Sequence, residues 1–121
     1  MEDKYHLVST LTTPEILIDY DIKLFKMTGR CMTMDAHNFF FKLLEKMEYI
    51  DGIKCVFNLE YINSASLRHI LSMLKNQLIL SEIIWYYMEE DFDIEDKGKM
   101  IKEIMNDKYP NIIFKLIRKT K

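Results

Sequence analysis

Two hydrophobic periods alternate along this chain, and that alternation limits the possible folds more than any other feature. Runs with a period of two, or nearly continuous apolar runs, read as strands. Stretches with apolar residues three and four apart read as helices. Glu15–Tyr20 and Ile22–Met27 are β-like, and Lys23 and Lys26 flank apolar positions in the second. Asp21 between them predicts a tight antiparallel hairpin, ended by Gly29. Asp35–Tyr49 reads as a helix with Ala36, Phe39, Phe40, Leu43, Leu44 and Met47 on one face, and Thr33 or Asp35 as its N-cap. Asp51-Gly52 marks a turn. Ile53–Ile62 is almost continuously apolar, as a central strand covered on both faces would be. Asn63-Ser64-Ala65-Ser66 opens a second helix with the stripe Leu67, Ile70, Leu71, Leu74 and Leu78. Glu82–Met88 is another buried strand. The acidic run Glu89–Asp96 leads into a third helix, weakened near its start by Gly98 and closed by Pro110, and Ile112–Ile117 is the last strand.

The resulting order, ββαβαβαβ, predicts an α/β fold: one mixed, mostly parallel five-stranded sheet with three helices packed on it. The expected strand order is 2-1-3-4-5. Ile53–Ile62 and Ile83–Met88 are expected to be adjacent, parallel and buried. With 121 residues and a mass of 14.6 kDa the chain suits a single domain spanning residues 1–121.

Composition narrows the function. At 49% hydrophobic and 30% charged residues, the chain is globular rather than disordered. A net charge of −2 provides no bulk attraction for nucleic acid. Cys31 and Cys55 make neither a disulfide framework nor a metal-ligand spacing, and two such thiols fit a reducing cytosol. The polar start Met1–His6 lacks the apolar stretch of a signal peptide, and the longest apolar run, around Leu78-Ile79-Leu80, is broken by Ser81 and Glu82. A cytoplasmic protein is expected, with no membrane segment and no cofactor.

Enzyme motifs are absent: there is no Gly-rich phosphate loop and no G-x-S-x-G. His6, His37 and His69 are far apart in sequence, on a terminus and two helix surfaces, and read as solvated histidines. The carboxylates from Glu89 to Asp96 complement a helix dipole, with Asp91 or Asp93 as cap. They also allow a docking face or a divalent metal site, though not with EF-hand spacing. Asn63-Ser64-Ala65-Ser66 lies where a buried strand gives way to a helix. Asn63 or Ser64 serves as a cap there, and the helix start also favours an anion, including a phosphate on Ser64. In Trp85-Tyr86-Tyr87, strand alternation sends Trp85 and Tyr87 to one face and Tyr86 to the other.

Several segments, in order, resemble the SiaC family of bacterial regulatory phosphoproteins. They are Thr13-Pro14-Glu15-Ile16, Gly29-Arg30, Asp35-Ala36 with Phe39-Phe40, Leu59-Glu60-Tyr61-Ile62-Asn63-Ser64-Ala65-Ser66, and Trp85-Tyr86-Tyr87 with Glu90-Asp91, Asp93-Ile94 and Gly98. The match runs from about Thr13 to about Gly98. The resemblance implies a fold like the anti-sigma-factor antagonists (STAS-like) and a non-catalytic switch. In such a switch a kinase phosphorylates a hydroxyl of the Asn-Thr/Ser-x-Ser segment and a PP2C-type phosphatase removes the phosphate. The unphosphorylated form binds and activates a diguanylate cyclase in cyclic-di-GMP signalling. The family's phosphoacceptor Thr falls on Ser64, its second Ser on Ala65 and its third on Ser66. Where the family often has Tyr-Pro-Glu-Asn-Ala, this chain has Met32-Thr33-Met34-Asp35-Ala36. Glu60, Tyr61, Asn63, Ser66, Glu90, Asp91 and Asp93 are the candidate partner-binding residues. Two other readings stand beside this one: an anti-sigma-factor antagonist, with the same switch and another client, and a small enzyme using the acidic run and a divalent metal.

Overall fold

The computed structural model describes residues 3–120. Six strands and three helices follow one another as β1 (Lys4–Leu7), β2 (Glu15–Asp19), β3 (Leu24–Cys31), α1 (Ala36–Met47), β4 (Asp51–Ile62), α2 (Ser64–Ser72), β5 (Ile79–Met88), α3 (Phe92–Lys108) and β6 (Ile113–Lys119). They form one mixed sheet in the order β1-β2-β3-β4-β5-β6. β1–β2 and β2–β3 are antiparallel, whereas β3–β4, β4–β5 and β5–β6 are parallel.

Three features depart from the sequence expectation. The sheet has six strands, because Lys4–Leu7 adds an edge strand that turns Tyr5 and Leu7 toward the core. The order is sequential rather than 2-1-3-4-5: β3, not β2, lies beside β4. A helical crossover returns the chain most simply to the neighbouring strand, which here is the strand just completed. The hairpin is looser and its second strand longer than expected. The Asp19 carboxylate accepts from the Asp21 and Ile22 amides, Lys23 takes a φ of +55°, and β3 runs on through Gly29 to Cys31. Gly29, at φ +108°, marks the register shift against β4 instead of ending the strand, and Gly52 likewise lies inside β4.

Three successive crossovers of one hand place all three helices on the same face of the sheet. Beneath them Phe25, Phe57 and Trp85 form a row across β3, β4 and β5, with ring centroids 5.9 and 5.5 Å apart. Ile16, Ile18, Met27, Ile53, Cys55 and Ile83 complete that layer, all fully buried. β4 is therefore covered by helices on one face, not on both. On the other face Lys54, Asn58 and Tyr86 border Val56 and Ile84, and Lys119 Nζ donates to the Asn58 side-chain oxygen and lies 5.7 Å from the centre of the Tyr86 ring.

The helices follow their stripes. α1 buries Ala36, Phe40, Leu43 and Met47. α2 buries Leu67 and Ile70, then passes into one π-helical turn, Met73–Gln77, closed by the Leu78 amide on the Met73 carbonyl. The wider turn brings both Met73 and Leu74 into the core. α3 is not interrupted at Gly98. A Cβ there would lie 2.6 Å from Trp85 Nε1 and 2.7 Å from Leu116 Cδ2, so glycine lets the helix rest directly on the indole. No helix among the described residues is long and apolar enough to cross a membrane.

Candidate functional site

The candidate residues collect at the carboxyl ends of β4 and β5, where the strands of an open sheet hand over to helices. β4 ends in an irregularity. Gly29 pairs with Leu59 but Arg30 pairs with Tyr61, so Glu60 is the extra residue. The bulge leaves Glu60 and Tyr61 exposed and returns Ile62 to the core. The next residue, Asn63, caps α2: its side-chain oxygen accepts from the Ser66 amide at 2.9 Å, and its own amide donates to the Cys31 carbonyl at 3.0 Å.

Ser64 is the first residue of α2 and is exposed. Ser66, two residues on, is fully buried. Its Oγ has no nitrogen or oxygen partner and faces the Cys31 thiol, which also lies 3.9 Å from the buried Thr33 hydroxyl. Burial pushes the Cys31 thiol up, against the opposing effect of these two hydroxyls, and burial does the same to Cys55. Both thiols are therefore held neutral and poorly nucleophilic. The first turn of α2 contains no acidic residue.

The acidic run is divided among several tasks. The Asp91 carboxylate accepts from the Ile94 amide at 3.2 Å and caps α3. Asp93 pairs with Lys97 at 2.8 Å, and Glu95 with Lys99 at 2.9 Å, both one turn apart on the helix. Glu89 and Glu90 stay exposed, and Glu90 takes a left-handed φ of +72° in the turn that joins β5 to α3. Among the described residues no group of three or more His, Cys, Asp or Glu could hold a metal ion.

Lys97 joins the two segments, and sequence reasoning missed it. Its ammonium donates to the Ile62 carbonyl at 3.0 Å as well as to Asp93, and lies 5.7 Å from the centre of the Tyr61 ring. No local pattern marks a lysine in the second turn of a helix as the bridge to another strand's end.

A family model described as SiaC family regulatory phosphoprotein matches residues 7–117. The chain belongs to the SiaC family. Three solved structures share the fold. A chain of the crystal structure of the diguanylate cyclase SiaD in complex with its activator SiaC from Pseudomonas aeruginosa superposes with a TM-score of 0.77 at 15% identity, over 95% of this chain and 99% of that one. SiaC of Pseudomonas aeruginosa gives 0.71 at 14% identity, over 99% and 100%. Apo-SiaC from the same organism gives 0.71 at 16%, over 96% and 99%. No curated protein matches the chain.

Within this SiaC-family chain the motif residues divide into two kinds. Trp85, Asp91, Ile94 and Gly98 are one packing unit: the indole N–H donates to the Ile94 carbonyl at 2.9 Å, beneath the glycine, while Asp91 caps the same turn. Glu60, Tyr61, Ser64, Glu90 and Asp93 face solvent. Trp85 and Tyr87 lie toward the core and Tyr86 toward the open face, as strand alternation requires. The histidines are less separate than their spacing implied. Packing of α1 on α2 brings His37 and His69 to 6.0 Å between ring centroids, with Phe40 stacked on His69 at 5.5 Å.

Proposed function

We propose that this SiaC-family protein is a non-catalytic, cytoplasmic adaptor. Its unphosphorylated form binds and activates a diguanylate cyclase, a kinase phosphorylates Ser64, and a PP2C-type phosphatase reverses the modification. The observation that carries this reading is the difference in exposure among three neighbouring hydroxyls. Ser64 is open to solvent, whereas Thr33 and Ser66 are 7% and 0% exposed. A kinase needs an accessible hydroxyl, and only Ser64 of the three offers one.

The helix start favours the product as well. A phosphate on Ser64 brings roughly −1.5 to −2 charges to an N-terminus whose own first turn carries no carboxylate. The fold then needs no rearrangement to accept it. What changes is the surface around it. Glu60, Tyr61, Glu90 and Asp93 are the exposed residues available for contact with the client. Asn63, Ser66 and Asp91 act from behind, by holding the two helix starts. A dianion among carboxylates and apolar groups repels like charge and must be dehydrated when a partner closes over it. A loss of about 3 kcal/mol, roughly a hundredfold in affinity, is enough for a switch.

The test is binding to, and activation of, a purified diguanylate cyclase of the source organism by four forms: untreated, kinase-treated, Ser64→Ala and Ser64→Asp. The untreated form and Ser64→Ala should bind and activate, Ser64→Asp should bind more weakly, and the kinase-treated form should release the cyclase. Equal binding by untreated and kinase-treated protein would overturn the switch.

A further inference from the structure

The sheet face away from the helices holds a groove of about 490 Å³, within the size range of small-molecule sites. Strands β3, β4 and β5 make its floor. Lys26 and Val56 are cross-strand partners, as are Val56 and Ile84, and Asn58 and Tyr86 pair two residues further along. Val56 and Ile84 are 8% and 7% exposed, so the floor is apolar, and Tyr86 adds one half-buried ring. Lys26, Lys54 and Lys119 stand around it, and no carboxylate among the described residues lines it.

Charge is not balanced within that groove. The carboxylates nearest to it are held by other cations: Asp19 by Lys4 at 3.9 Å, Glu15 by His6 at 3.0 Å and Glu82 by Lys115 at 3.2 Å. Glu82 is the cross-strand partner of Lys54, yet its carboxylate turns to Lys115. Lys26 and Lys54 have no ion-pair partner among the described residues. Lys119 donates to a neutral acceptor, the Asn58 side-chain oxygen, and lies over the Tyr86 ring. Three cations without a counter-charge thus share one groove, in a chain whose net charge is −2. Such a cluster attracts an anion. An anion also outcompetes the neutral Asn58 oxygen for Lys119, because that attraction is between two charges.

We propose that this groove binds a small polyanion that carries a planar ring, the chemistry of a nucleotide, with its phosphates on Lys26, Lys54 and Lys119 and its ring over Val56, Ile84 and Tyr86. Lysines hold phosphate as point charges, and an aromatic ring on an apolar floor favours a flat apolar body. The surroundings limit the ligand's size. Asp19 and Glu15 stand beside the groove on β2, opposite Leu24 and Thr28, and Glu82 stands on β5. A long polyanion or an acidic membrane surface meets these carboxylates, whereas a ligand confined to the groove does not. The groove lies on the face that the helices leave open, so the inference is independent of the adaptor function proposed above.

The experiment titrates the full chain, labelled with nitrogen-15, with ATP, GTP and ring-free tripolyphosphate, and follows amide shifts and affinity. At least one nucleotide should shift the amides of Lys26, Val56, Asn58 and Tyr86 and leave those of the three helices in place. Lys26→Gln combined with Lys54→Gln should weaken its binding at least about tenfold, with circular dichroism unchanged. The same loss of charge on the helical side, Lys42→Gln combined with Lys102→Gln, should leave binding at the wild-type level. Tyr86→Leu should weaken the nucleotide several-fold and tripolyphosphate not at all. Absence of open-face shifts with either nucleotide at millimolar concentration overturns the inference. So does equal weakening by the two lysine pairs, or tripolyphosphate bound as tightly as the nucleotides.

Discussion

The starts of α2 and α3 are built alike and charged differently. Each follows a parallel strand, and each is capped by an Asx side chain that accepts from the amide three residues on, Asn63 from Ser66 and Asp91 from Ile94. At α3 the negative charge is permanent: Asp91 caps, and Asp93 and Glu95 occupy the first turn, held by Lys97 and Lys99. At α2 the cap is neutral, the first turn has no carboxylate, and the first residue is an exposed serine. Both helix dipoles favour an anion. In α3 it is encoded in the sequence, whereas the first turn of α2 carries none. A reversible modification has most leverage where the fold accepts a charge that it does not already hold.

The permanent start is tied to the core, and the comparison can be broken there with the largest effect. Gly98→Val forces a branched side chain into the space of Trp85 and Leu116 and should destabilise the fold by about 3 kcal/mol, read by denaturant unfolding. Client binding by the surviving folded fraction should be unchanged. The caps sharpen the comparison at a smaller scale. Asn63→Ala and Asp91→Ala should each cost about 1 kcal/mol. Asp91→Ala should lose more of its effect at high salt, because only there is the cap charged. The smallest effect tests the unfilled charge directly. Ser64→Asp should stabilise the fold by roughly 0.5 kcal/mol, whereas Asp93→Ser should destabilise it by a similar amount. A Ser64→Asp variant that is less stable than wild type would mean that α2 does not welcome an anion.

Much of this arrangement was legible from residues alone, and the reasons differ by element. β4 and β5 were legible because long apolar runs leave few alternatives to a central strand, and α1 because its stripe holds one period over three turns. β1 was not, since Lys4–Leu7 has only two inward residues and draws its stability from pairing with β2. The sheet order was missed because a run of apolar residues does not say which neighbour it will have. Gly98 looked like a weak point because helix propensity is local, whereas its reason is an indole thirteen residues earlier. At the site, the helix start and the position of Ser64 followed from strand-to-helix alternation. The burial of Ser66, the bridge made by Lys97 and the approach of His37 to His69 depend on how separate elements pack, and no local spacing encodes that.

The central claim is that one hydroxyl, exposed at an uncharged helix start, receives the phosphate. Phosphopeptide mapping by mass spectrometry after incubation with the cognate kinase tests it most directly. Phosphate is expected on Ser64, with Ser66→Ala labelled as fully as wild type and Ser64→Ala not labelled. Phosphate on Ser66 or Thr33, with Ser64 unmodified, would contradict the account.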